Sequence, residues 1–112
     1  MGAWGYGGLE SDAAFDLTRG VIKKIRAGLK KKVVCGGSAP ATVRAAAELL
    51  IRMHDCGIDI DEDTIDLAVD QIESIVDCGF SDWRDPKKGE QATLEQLRRL
   101  AAIRNKMRRR RR

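Results

Sequence analysis

Apolar residues recur at helical spacing in four stretches of the chain, and each recurrence predicts an amphipathic helix. In the first, Phe15, Thr18, Ile22, Ile25 and Leu29 form one stripe, with Arg19, Lys23, Arg26 and Lys30 opposite. Ser11 stands at the N-cap position, and Asp12 and Asp16 lie near the positive end of the helix dipole. Gly20 and Gly28 each weaken this helix by roughly 1 kcal/mol relative to Ala, which points to close packing there or to fraying near the second. A second helix over residues 40–56, entered at Pro40, places Val43, Ala46, Ala47, Leu50, Ile51 and His54 on one face. A third over 62–78, with Asp61 or Asp63 as cap, buries Ile65, Ala68, Val69, Ile72, Ile75 and Val76. A fourth starts near Thr93, carries Leu94, Leu97, Leu100, Ala101 and Ile103, and runs out into arginines.

The segments between these stripes read as connections. Residues 33–40 are rich in turn formers, and residues 79–91 form a link from which Phe80 and Trp83 pack inward. Ile58-Asp59-Ile60-Asp61 alternates, but four residues with no partner do not build a sheet. The pattern therefore predicts an all-α, single-domain bundle of about four helices joined by short antiparallel connections. Its expected limits are residues 1–107, with 1–10 as an N-terminal arm and 108–112 as a disordered basic tail.

That arm has its own composition. Residues 1–15 hold three of the five aromatic residues and four of the eleven glycines. Glycine is costly to order, but large rings repay ordering when a groove receives them. The arm is therefore expected to pack on the bundle, with Trp4 in the core and Tyr6, Phe15 and Trp83 as further structural aromatics.

Charge changes the picture more than composition does. The net charge is +4, yet without the five C-terminal arginines 16 basic residues face 17 acidic ones, so basicity belongs to the tail. Within the body the signs are segregated. Residues 19–32 hold seven cations and no anion, whereas residues 55–85 hold eleven acids and a single cation, Arg84. Asp63, Asp66, Asp70, Glu73 and Asp77 form one acidic stripe on the third helix. Such polarity is either paired within the fold or presented to a basic partner. No apolar stretch approaches a membrane span and no secretory core follows Met1, so a cytoplasmic protein of bacterial or phage type is expected.

Candidate chemistry is sparse. Asp-Cys-Gly recurs at residues 55–57 and 77–79, each time followed by an apolar residue, which is the mark of a helix closed by a left-handed glycine. The three cysteines then serve as small apolar residues in closing turns, and their odd number argues against a disulfide framework. A zinc site from the cysteines and His54 fails because Cys56 and Cys78 close opposite ends of successive helices, about 25 Å apart. Asp59-x-Asp61-x-Asp63 opens like a calcium loop but then lacks its glycine and its glutamate. No two groups are placed for acid–base or nucleophilic work, so no catalytic residue, metal or cofactor is expected.

Gly2-Ala3-Trp4-Gly5-x-Gly7 followed by Ser11-Asp12-x-Ala14-x-Asp16 resembles the N-terminal signature of the domain of unknown function family 4259, small bacterial proteins that start GxWGxGxFxNDxAxD. An alanine-rich second helix and the segment Phe80-Ser81-Asp82-Trp83 before the last helix are similar in layout. Leu9 in place of an aromatic, Ser11 in place of asparagine, and the arginine tail depart from that pattern. The resemblance supports the arm as a structural element and brings no activity with it.

The expected function is a non-enzymatic protein-binding module, of the inhibitor, immunity or counter-defence type, acting through its charged helix faces. Its partner is another protein, with a second copy of the chain as one candidate. The alternative is a nucleic-acid-associated protein using Arg98, Arg99, Arg104 and Lys106 together with Arg108, Arg109, Arg110, Arg111 and Arg112.

Overall fold

The structure is a computed structural model that describes residues 12–35 and 37–110. Four helices run through them: α1 (Asp12–Leu29), α2 (Ala39–Asp55), α3 (Glu62–Cys78) and α4 (Pro86–Arg110). There is no strand among the described residues, so the fold is all-α. The arm with Trp4 and Tyr6, the side chain of Phe15, and Arg111 and Arg112 lie outside the described residues.

The helix boundaries have local causes. The Asp61 carboxylate caps α3 by accepting from the backbone N–H and the hydroxyl of Thr64, at 3.3 and 2.7 Å. At the other end of α2, Gly57 adopts φ +86°. Its N–H then donates to the His54 carbonyl while that of Ile58 reaches back to Met53, at 2.9 and 3.1 Å. These two bonds satisfy carbonyls that the helix end would otherwise orphan. Gly79 closes α3 at φ +78°, with its N–H on the Val76 carbonyl at 3.0 Å.

The predicted inward faces of α2 and α3 are buried from Val43 to Ile51 and from Ile65 to Ile75. From α1, Ile25 and Leu29 join them, and Phe80 closes the core from the α3–α4 link. The end of α1 lies on the start of α2: a Cβ on Gly28 would touch Ala46 and Thr42 at 3.5 and 3.6 Å. α3 and α4 are antiparallel neighbours, with Arg108 near the end of α4 reaching Glu62 and Asp66 at the start of α3.

Three features differ from expectation. α4 begins at Pro86, seven residues before Thr93. The apolar stripe starts only at Thr93, but Asp85 and Pro86 already form an N-cap and first-turn pair, with the Asp85 carboxylate accepting from the Lys88 N–H at 3.2 Å. The first turns pack through Gly89, which is buried beneath Trp83, rather than through large side chains. Accordingly Leu94 is 42% exposed, and the inward positions belong to Thr93 and Gln96. At its far end the helix continues through Arg110, past the expected boundary at residue 107.

The cysteines give the third difference. Cys35 and Cys78 form a disulfide with their Cα atoms 5.3 Å apart, while Cys56 is an exposed free thiol. The Cys-Gly repeat marks helix ends, but it carries no information about which ends meet. The loop after α1 lies against the last turn of α3, and this brings two of the three thiols together. Gln71 holds the same loop by donating its Nε2 amide to the carbonyls of Leu29 and Lys31.

Candidate functional site

Two features of the described residues outside the core bear on function: the acidic side of α3, and a cleft where α2, α3 and α4 converge. On α3, Asp63, Asp70, Glu73 and Asp77 are exposed and make no ion pair among the described residues. Asp66, in the same row, is half-buried and bonded to Arg108 at 3.3 Å. The basic stripe of α1 meets α3 at its cap and not along the row: Arg26 donates to Asp61 at 3.0 Å and to the Thr64 hydroxyl at 2.7 Å. Burial alone would raise the Asp61 carboxyl. The Thr64 donors and Arg26 outweigh it and hold the group below the ordinary carboxylate range. Segregated charge is thus neutralised at one end of α3 and left open along its length.

The cations of the nucleic-acid alternative are divided. Arg98 pairs with Glu95 at 2.7 Å, Arg99 with Asp55 at 2.7 Å, and Arg108 with Glu62 and Asp66. Arg104 is half-buried with its Nε shielded, and Lys106, Arg109 and Arg110 are exposed. His54 is half-buried in the last turn of α2. The bridge between Cys35 and Cys78 removes two of the thiolates on which the zinc alternative depended.

The cleft, of about 620 Å³, is bounded by the start of α2, the disulfide, the α3–α4 link and α4. Its centre is a polar network carried on apolar scaffolding. Gln96 is only 6% exposed, and both its amide nitrogen and its oxygen are hydrogen-bonded. Its Nε2 donates to the Arg44 carbonyl at 3.0 Å and to Glu48 at 3.1 Å, and its Oε1 accepts from Arg44 Nε at 3.1 Å. Arg44 lies over the Trp83 ring, 5.5 Å from its centroid, and Phe80 meets that ring edge-on with centroids 4.8 Å apart. Burial lowers the pKa of Arg44, partly offset by the negative charge of Glu48. The Gln96 donor, with Arg52, holds the Glu48 carboxyl below its usual range despite partial burial.

Sequence reasoning placed Trp83 inward but missed Arg44, Glu48 and Gln96. A signal was present, because Gln96 stands three and seven residues from Thr93 and Ile103 on the inward face of α4, where an apolar residue is the default. A buried amide there requires partners. Comparison with models of protein families, with curated proteins and with solved structures found no match for this chain.

Proposed function

We propose that this chain is a non-enzymatic binding module that captures a protein with a basic surface through the acidic face of α3. The observation that carries the reading is the contrast within one helix: Asp61 and Asp66 have cationic partners, whereas Asp63, Asp70, Glu73 and Asp77 are exposed with none among the described residues. Such a field speeds encounter with an oppositely charged partner and disfavours wrong ones. A role as inhibitor, immunity or counter-defence protein fits this mode of capture. The glycine and tryptophan motif at the N-terminus supports kinship with the domain of unknown function family 4259.

No helix among the described residues is long and apolar enough to cross a membrane. A cytoplasmic location would expose the Cys35–Cys78 bridge to reducing thiol systems, so the redox state of the protein isolated from its host discriminates between compartments.

The test is capture from the host with the wild-type chain and with Asp63→Lys/Asp70→Lys/Glu73→Lys, followed by reconstitution with the purified partner. Loss of the partner with unchanged helical circular dichroism is the expected result. Undiminished capture by the reversed variant removes the acidic face from the account.

A further inference from the structure

We propose that the cleft beside Trp83 binds a small monocarboxylate with a short apolar body, its carboxylate paired with Arg44. The inference is independent of the acidic face of α3. Arg44 is half-buried, and it spends Nε on Gln96. Its two terminal nitrogens donate to no acceptor among the described residues. A cation drawn partly out of water, with its terminal nitrogens bonded only to solvent, favours an anion more than a fully hydrated arginine does. Glu48, one turn along the helix, offsets part of this charge but accepts no hydrogen bond from Arg44, because its oxygens take Gln96 at 3.1 Å and Arg52 at 3.2 Å.

The guanidinium is also oriented. Its Cζ stands over the Trp83 ring, 5.5 Å from the centroid, and the buried Gln96 accepts from its Nε, which leaves the two terminal nitrogens for a two-pronged contact with a carboxylate. Pro40, Ala41, Ala45, Ile75 and the Trp83 ring supply apolar wall. Small residues on α2 keep the space open, and about 620 Å³ falls within the range of ligand sites.

The remaining charges select the class of anion. Glu48 and Asp82 line the same cleft and repel any anion, so a carboxylate is held only in direct contact with Arg44, and a second negative charge has no cation to meet it; a monoanion is preferred over a dianion. An ammonium is disfavoured by Arg44 itself. Glu48 already has its partners, and Asp82 is exposed to water, so a cationic headgroup gains less here than a carboxylate does.

Calorimetric titration of the full chain with hexanoate, hexanol, hexylammonium and succinate tests the proposal. Hexanoate is expected to bind saturably and at least about tenfold tighter than the other three, the span expected of a charge-assisted hydrogen bond. Arg44→Gln should weaken hexanoate by about tenfold or more. Because that variant also disturbs Gln96, Ala45→Phe serves as a second one: it keeps the charge, fills the cleft, and should abolish binding with the fold unchanged. Equal affinity for hexanoate and hexanol overturns the proposal, as does undiminished hexanoate binding by Ala45→Phe. An N-acetylated apolar tripeptide with a free C-terminus is titrated in parallel; binding of the peptide without hexanoate overturns the small-molecule site.

Discussion

Replacing glycine by alanine should have opposite signs at two helical positions of this protein. In a helix interior the change is worth about 1 kcal/mol in favour of alanine. At Gly20 in α1 nothing among the described residues lies within 4 Å of the added Cβ, so Gly20→Ala should stabilise by about 0.5–1 kcal/mol. At Gly89 in α4 the same atom would overlap the Trp83 ring, 2.9 Å from Cζ3 and 3.2 Å from Cδ2. The ring is wedged against Phe80 and beneath Arg44, so it cannot yield without disturbing both. Overpacking of this kind costs about 1–3 kcal/mol, which outweighs the propensity gain and leaves a net loss of up to about 2 kcal/mol. Urea denaturation followed by far-ultraviolet circular dichroism reads both values. A double-mutant cycle isolates the cause: in a Trp83→Ala background, Gly89→Ala should become stabilising, with a coupling of about 1–3 kcal/mol. If Gly89→Ala stabilises the wild-type chain as much as Gly20→Ala does, the packing of α4 beneath Trp83 is refuted.

Other consequences are direct. The bridge closes a span of 43 residues, so Cys35→Ser should lower stability by up to about 4 kcal/mol in denaturant titration, and unreduced, unfolded protein should show one reactive thiol, at Cys56. Three reactive thiols would contradict the pairing. Asp61 has a lowered carboxyl pKa, so its contribution is present above the unfolded value of about 4 and is lost as pH falls through the lower folded value. Asp61→Ala should therefore cost about 1 kcal/mol at neutral pH, and the gap to wild type should narrow as pH falls below the unfolded value of about 4; a gap independent of pH would sink the assignment. Deleting residues 108–112 should leave duplex DNA retention at about 0.15 M salt unchanged from the full chain; a steep loss would revive the nucleic-acid reading.

Much of the fold was legible because most of it follows from one period. The stripes of α2 and α3 are aliphatic runs whose buried sets match from Val43 to Ile51 and from Ile65 to Ile75, whereas His54 and Val76, expected inward, are half-buried and Thr64, not expected there, is buried. The closing glycines were equally legible as positive-φ positions, +86° at Gly57 and +78° at Gly79, but the residue after glycine bonds back onto the helix only at Ile58. The start of α4 left no mark in the hydrophobic pattern, because Gly89 packs by lacking a side chain; its sequence signal is the Asp85-Pro86 cap instead. The disulfide and the Gln96 network are long-range matters. Cys35 and Cys78 are 43 positions apart, and Arg44 and Gln96 are 52 apart, so no local spacing joins them. The acidic row could be placed on α3 from sequence, but which of its members Arg108 neutralises depends on the antiparallel packing of α4.

Partner recognition is proposed to rest on the acids of α3 that have no counter-ion among the described residues. Its most direct test is to neutralise them one at a time and measure association with the purified partner at two salt concentrations. Asp70→Asn and Glu73→Gln should each slow association and flatten its salt dependence while leaving stability unchanged, because neither has a counter-ion among the described residues. Asp66→Asn should act mainly on stability, by no more than about 1 kcal/mol, because its charge is already met by Arg108. Association that is insensitive to Asp70 and Glu73, or more sensitive to Asp66 than to either, would contradict the account.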